Sequence, residues 1–501
     1  MKRALTVLLS SCCLLTSCVV GPKYKPDNFP VPAYFSAAPH PPTREEIAET
    51  EKDLRDWWAL FQDPVLDHLV DRAIKGNYDL QVATQNILAY QALKRQASAD
   101  WYPQMDANAG AGTNRYSIDI DNWPLRPKVS SRQHPAAAIL TYGVTASWQL
   151  DVFGHIARQV EAQKRVVEES IEMRRGVLMS LLSDLVSDYV TLRMVQEEMD
   201  VVENSIKVAH SSTDMVERLY ENGVGNTLSV AQARAEEHTE RAKLPPLYAR
   251  QQRLIYDMAM LMGEMPGTLE PELEKREPMP IAPAFPATVP STVLINRPDI
   301  RQSERKYAES MARVGVAVTN LYPKFSIPLS FNPNASAFYQ LAQDYAMAWN
   351  ILMTMSVPVL HGGKLTAEIS QARHQAEGSR LAYRQTVLNA FREVEDAMTD
   401  WYHDNTQVLE RKAAATEACL ARDRAKELFG AGLTPFLDVL NTQQNALSAM
   451  EADVVSRGLR LNDVVALYVA MGAGWQGRNL GPTLLPVQKK KESILLRAFT
   501  R

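Results

Sequence analysis

Apolar residues recur every three or four positions between Gly154 and Gly223, at Leu178, Leu181, Leu185, Leu192, Val195, Met199, Val202 and Ile206. The stretch contains no proline, so the spacing predicts one long amphipathic helix. From Gly363 to Phe429 the pattern returns with Leu381, Leu388, Phe391, Val394 and Met398. At about 1.5 Å per residue, some 65 residues make a rod of roughly 100 Å, against a usual helix of about 12 residues. A rod of that kind buries its stripe by coiling against others. Shorter helices are expected from about Thr227 to Met262 and from about Pro435 to Ala470, each after a glycine turn; Pro245-Pro246 interrupts the first and is expected to kink it.

Elsewhere the period is two. Tyr142, Val144, Ala146, Trp148 and Leu150 alternate with Gly143, Thr145, Ser147 and Gln149. Phe325, Ile327, Leu329 and Phe331 do the same, as do Trp349, Ile351, Met353, Met355 and Val357. With Met105 to Gly112 this makes four expected strands, at about 103–113, 139–152, 324–332 and 347–359, each near the 9–11 residues of a membrane strand. Soluble hairpins packed on helices would alternate in the same way, but rods of about 100 Å lead away from a sheet instead of covering it. Pro328 removes a ladder donor and is expected at a bulge or near the rim. Four strands cannot close a barrel, for which the smallest membrane examples use about eight, and open edges are not tolerated in lipid. If these are membrane strands, several copies must share one barrel.

The chain is an approximate duplication. Asp79-Leu80 leads to Trp101-Tyr102-Pro103 as Asp299-Ile300 leads to Leu321-Tyr322-Pro323, and both segments read as helices that stop by the proline. Ser147-Trp148-Gln149-Leu150-Asp151-Val152-Phe153-Gly154 matches Ser356-Val357-Pro358-Val359-Leu360-His361-Gly362-Gly363. Leu219-Tyr220-Glu221-Asn222-Gly223 with Leu228-Ser229-Val230 matches Leu428-Phe429-Gly430-Ala431-Gly432 with Leu437-Asp438-Val439. The offset is 209 residues at these last matches and 220 at the prolines (Pro103 against Pro323), which places an insertion of 11 in the first hairpin, among Ser117 to Pro135.

Composition changes this picture little. At 501 residues with 46% hydrophobic residues the chain can bury a sizeable core, and a net charge of −4 suggests no nucleic-acid partner. The N-terminus says more. Lys2 and Arg3, an apolar run from Ala4 to Leu15, and Thr16-Ser17-Cys18 form a secretion signal too short to span a bilayer. Leu15-Thr16-Ser17-Cys18 resembles a bacterial lipobox, which would make Cys18 the acylated mature N-terminus; an ordinary signal peptide or an uncleaved anchor are the other readings. Cys12 and Cys13 leave with the signal, so only Cys419 remains and no intrachain disulfide is expected. No zinc-binding histidine pair, nucleophile elbow or phosphate loop occurs, and Gly110-Ala111-Gly112 lacks nucleotide-loop spacing; an enzyme, a cofactor and a catalytic or metal site are not expected.

Trp57-Trp58-Ala59-Leu60-Phe61-Gln62-Asp63-Pro64-Val65-Leu66 and Asn77-Tyr78-Asp79-Leu80 resemble the opening signature of TolC-type outer membrane factors, and Asn296-Arg297-Pro298-Asp299-Ile300-Arg301 resembles its mid-chain counterpart. The lipobox followed by Val20-Gly21-Pro22-Lys23-Tyr24 is similar to the acylated branch serving pumps of the resistance-nodulation-division class. The resemblance implies an α+β membrane protein: a homotrimer whose trimeric 12-stranded β-barrel, four strands per chain, continues into a long α-helical barrel. It further implies a passive efflux duct in the outer membrane, working with a periplasmic adaptor and a proton-driven inner-membrane pump. The boundaries then read as signal peptide 1–17, acylated segment 18–62, first repeat 63–285, second repeat 286–474 and C-terminal tail 475–501. A channel for protein secretion, or a lipid-anchored periplasmic coiled-coil scaffold, are the alternatives.

The same resemblance places Leu437, Asp438, Asn441 and Gln444 at the periplasmic aperture. Three copies of Asp438 would form an acidic ring of the kind that attracts cations; alternatively Asp438 caps the last long helix. Asn441 and Gln444 stand where some relatives carry charges, which puts a salt-bridge latch in doubt. Gly223 and Gly432 read as helix-to-helix turns that contact the adaptor, or as ordinary C-caps, two roles that are compatible.

Overall fold

The computed structural model describes residues 19–27, 29–32, 34–36, 54–114, 137–283, 294 and 296–476. Cys18 and the insertion among Ser117 to Pro135 lie outside the described residues. In chain order the elements are a 3₁₀ turn Trp57–Phe61, α1 Pro64–Gly76, α2 Tyr78–Ala99, β1 Gln104–Asn114, β2 Ala137–Leu150, α3 His155–Glu221, α4 Thr227–Leu261, α5 Glu270–Leu273, α6 Pro298–Thr319, β3 Lys324–Phe331, β4 Asn334–Ala335, β5 Trp349–Ile351, β6 Thr354–Ser356, α7 Lys364–Gly430 and α8 Phe436–Ala470.

The duplication holds to the residue. Helices α3 and α7 are both 67 residues long and α4 and α8 both 35. From α3 to α7 and from α4 to α8 every boundary shifts by 209, while α2 and α6, both 22 residues, shift by 220. Pro245 and Pro246 do not end α4, which runs through both to Leu261. Each lacks the N–H for one i→i−4 bond, and the rest of a 35-residue ladder carries the helix across that gap.

Two compact units emerge. One contains Ala89–Glu168 and Arg305–Leu381 with the N-terminal stretch to Asp27; the other contains Asn28–Leu88, Glu169–Glu304 and the chain from Ala382 onward. The first holds the sheet, antiparallel throughout, in the order β1-β2-β3 followed by β5 and β6. The expected fourth strand at 347–359 is two three-residue pieces, β5 and β6, broken at Leu352 and Met353. Pro328 explains the break. Leu352 N–H donates to its carbonyl at 3.2 Å, so Pro328 faces the fourth strand, and the donor that proline lacks is missing from that ladder. Pairing resumes without an extra residue on either side, Leu329 opposite Ile351 and Ser326 opposite Thr354, so the site is a gap in the ladder and not a bulge.

In the second unit one core joins the Trp57–Phe61 turn and α1 to the middle of the long helices, with Leu66, Leu69, Leu185, Tyr189, Val394, Val464 and Tyr468 fully or almost fully buried. Trp57 stacks on Tyr468 at 5.6 Å. Arg193 is buried beneath, donating to Gln196, to the Lys275 carbonyl and to the Tyr189 hydroxyl, which itself donates to Asp63 at 2.6 Å. Asp63 also caps α1 by accepting from the Val65 amide, so the opening signature is tied into the core of this unit.

Candidate functional site

Three surfaces follow from this frame: the sheet, the paired helix turns, and the first turns of α8. On the sheet, the register sets apolar residues opposite apolar ones. Ala146 faces Met105 and Leu329, Val144 faces Ala107 and Phe331, Leu329 faces Ile351, Phe331 faces Trp349, and Phe325 faces Met355. Directly paired residues share a face, so the alternating segments form one continuous apolar surface. Trp349, Ile351, Met353 and Met355 are exposed, so nothing among the described residues covers its edge. The opposite face carries Asp106, Asn108, Thr145, Ser147, Ser330, Asn350 and the Ser326–Thr354 hydroxyl pair at 2.7 Å. A sheet greasy on one side and polar on the other suits lipid outside and water inside.

The chain before this sheet is held against its lower end. Val20 N–H donates to the Phe153 carbonyl at 3.2 Å, and buried Arg158 donates to the carbonyls of Val20 and Gly21, both at 3.1 Å. A Cβ on Gly21, at φ +92°, would lie 2.9 Å from the Gly315 Cα, and one on Gly315 would lie 2.8 Å from the Arg158 side chain, so neither position has room for a side chain. Val19 is therefore fixed where β2 gives way to α3, one residue from Cys18.

The two turns share one pair of capping hydrogen bonds. Gly223 N–H donates to the Tyr220 carbonyl and Val224 N–H to Leu219; Gly432 N–H donates to Phe429 and Leu433 N–H to Leu428, all at 2.9 Å. This is the 6→1 and 5→2 pair of a Schellman cap, with Gly223 at φ +76° and Gly432 at φ +74°. The C-cap reading of both glycines is thus correct. Beside them, Val224 (79% exposed) and Leu433 (74%) project from equivalent positions, as do exposed Leu228 and Leu437. Sequence reasoning passed over Val224 and Leu433; the signal was an apolar residue directly after a helix-ending glycine. Behind the turns a small core of Val216, Ala233, Ala425, Phe436, Val439 and Leu440 joins all four helices.

On α8, Leu437, Asp438, Asn441 and Gln444 are all exposed while Val439, Leu440 and Gln443 are buried, so the four expected aperture residues share one stripe. Asp438 is not the N-cap. That position belongs to Pro435, which offers no side-chain cap, and Asp438 lies in the first turn, accepting from the Thr434 hydroxyl. Gln444 donates to Glu236 of α4 at 2.7 Å, and neighbouring Gln443 donates to Ser212 of α3 at 2.6 Å. One turn further along α4, burial raises the Glu240 pKa despite Lys243 at 3.2 Å. Two aspartates deeper in this unit are pushed up more strongly: Asp463 to about 7, by burial and then by Asp404 and Asp400, and Asp188 to about 6, by burial and then by Asp257 and Asp184. Among the described residues no group of His, Cys, Asp and Glu could hold a metal ion, and no helix is long and apolar enough to cross a membrane.

The sequence matches the profile of the outer membrane efflux protein family over residues 69–263 and 289–473, one block per repeat. The chain belongs to that family. Nodulation protein T of Rhizobium leguminosarum bv. trifolii is 26% identical over 471 residues, covering 92% of this chain and 96% of that protein. The solvent efflux pump outer membrane protein SrpC of Pseudomonas putida is 27% identical over 417 residues, covering 83% and 86%. Among solved structures, the outer-membrane channel OprN superposes with a TM-score of 0.81 at 28% identity, covering 92% of this chain and all of that one. As a member of the outer membrane efflux protein family this chain is an outer-membrane channel for efflux, and the four alternating segments are its channel strands.

Proposed function

We propose that three copies of this chain close one twelve-stranded barrel in the outer membrane, continued by their long helices, and that the duct receives its cargo from a periplasmic adaptor and a proton-driven inner-membrane pump. The observation that carries this is the sheet: one unbroken apolar face with no strand on its outer edges among the described residues. Lipid cannot satisfy those edges, so neighbouring copies must. Solvents and cations appear in the names of relatives with similar chain length, which supports a passive duct that leaves selection to the pump.

In this reading the exposed apolar turns at Gly223 and Gly432 meet the adaptor, Leu437, Asp438, Asn441 and Gln444 line the aperture, and Cys18 carries lipid. Fixing Val19 at the junction of β2 and α3 supports the last point, because an acyl chain there starts level with the rim of the membrane strands. Purification in detergent tests the assembly: a trimer whose gel mobility changes on heating is expected, and a stable water-soluble monomer would sink it. Mass spectrometry of the mature N-terminus tests the anchor, with an unmodified Cys18 as the contrary result.

A further inference from the structure

The duplication contains a template for the contact between copies. Within each repeat the hairpin register is invariant: shifting the pair Met105–Ala146 by 220 on the first strand and 209 on the second gives Phe325–Met355, which is the observed pair, and Ala109–Tyr142 likewise becomes Leu329–Ile351. A second contact, β2 against β3, joins one repeat to the next inside the chain, pairing Leu150 with Phe325, Trp148 with Ile327 and Ala146 with Leu329. In a closed ring of repeats, the contact from β5 and β6 to β1 of the neighbouring copy is the equivalent of β2 against β3.

We propose that the ladder between copies follows that internal register, setting Met355 opposite Ala109, Val357 opposite Ala107, and Val359 opposite Met105 of the neighbouring copy. The inference rests on the shared barrel described above. Each pair results from moving the β2 residue forward by 209 and the β3 residue back by 220. Chemistry agrees at every position, since all six residues are apolar and the four within strands, Met105, Ala107, Ala109 and Met355, lie on the apolar face. A slip of one residue would set Met355 against Asn108 and turn the apolar face of one copy toward the polar face of the next. A slip of two keeps the faces and is excluded only by the repeat.

Exposure supports the same edges. Val359 is 88% and Leu360 95% exposed, and Tyr102 and Met105 are also exposed, whereas their counterparts in the internal contact, Leu150, Asp151, Tyr322 and Phe325, are half-buried. The register covers Val359 with Met105, just as Leu150 is covered by Phe325. Among the described residues nothing else in the chain reaches them. A second copy is the occupant because it alone presents β1 in the position the repeat demands.

Cysteine pairs decide it. Directly opposed residues hold their Cβ atoms about 4.5–5.5 Å apart, close to disulfide reach, while diagonal neighbours are about 7–8 Å apart. In a Cys419→Ser background, the double variants Met355→Cys/Ala109→Cys and Val359→Cys/Met105→Cys are oxidised in the detergent-purified protein and run without reductant. Bands at two and three times the chain mass are expected for both pairs, with yields about tenfold lower for the shifted pairs Met355→Cys/Ala107→Cys and Met355→Cys/Ala111→Cys. The single variants report assembly and should show no covalent product. A trimer whose shifted pair links better, or in which no pair links, overturns the register while leaving the shared barrel standing. A monomer overturns both, and crosslinking to a different outer-membrane protein overturns the choice of occupant.

Discussion

The first and second repeats share the lengths of their long helices residue for residue, yet each has changed where the other has not. In the first, α4 begins at Asn226, whose side chain accepts from the Ser229 amide at 2.8 Å. In the second, α8 begins at Pro435 with no side-chain cap, and Asp438 stands exposed in the first turn. The first hairpin is an eleven-pair ladder; its counterpart is cut in two at Pro328. Equal spacing therefore preserves the backbone frame, while the side chains at the turns and strand edges have been free to diverge.

The sheet offers the largest test of that comparison. Ile351→Lys in β5 puts a charge on the apolar face and is expected to cost about 2–4 kcal/mol of barrel stability near the bilayer centre, whereas Asn350→Lys on the polar face costs much less. Trimer yield after outer-membrane extraction measures both, and equal yields would contradict the assignment of faces.

Asp463→Asn comes next. Asp463 ionises near pH 7 in the folded chain against 3.8 ordinarily. Between those values the folded state holds a proton that the unfolded state has lost, so stability falls as pH rises from about 4 to 7. The substitution should raise the melting temperature at pH 8 and flatten its decline across that window. Asp188→Asn, in the first repeat, should act over a narrower window ending near pH 6. The positions are not equivalent, since Asp463 aligns with Leu254 and Asp188 with Ala397.

Asn226→Ala is expected to cost about 1 kcal/mol by removing a cap, and Pro435→Ala far less because no side-chain bond is lost. Hydrogen exchange at the Ser229 amide should accelerate in the first variant, with no counterpart in the second. The smallest effect on stability belongs to Asp438→Ala, whose side chain makes one exposed contact with Thr434. Its expected signature is electrical: lower cation preference in planar bilayers at an unchanged melting temperature. The opposite pairing of results would take Asp438 out of the pore.

Much of the frame was legible in the sequence because it is periodic. Heptad-like spacing between helix-ending glycines set the bounds of α3, α4, α7 and α8 to within a residue or two, and alternation located β1, β2 and β3. The break at Leu352 was not legible, since it depends on which neighbour Pro328 faces, a matter of register between strands. Placing Asp438 at the cap failed for a local reason: Thr434-Pro435 starts the helix earlier than the acid alone suggests. Resemblance singled out Leu437, Asp438, Asn441 and Gln444, and burial then showed that the four share a face. No spacing rule could have found Glu236 as the partner of Gln444, or Arg158 as the clamp on Val20 and Gly21, because both join segments far apart in sequence.

One difference between the repeats has a mechanical side. Where α4 carries Pro245 and Pro246, α8 carries Val454 and Val455. Two adjacent rungs are missing from the first ladder, leaving the carbonyls of Arg241 and Ala242 without their helical donors, while the second ladder is complete. Of two otherwise equal rods, α4 is then the compliant one and α8, which bears Leu437 and Asp438, the stiff one. Force applied at the paired turns would flex the first repeat at Pro245 while displacing the second as a rigid lever.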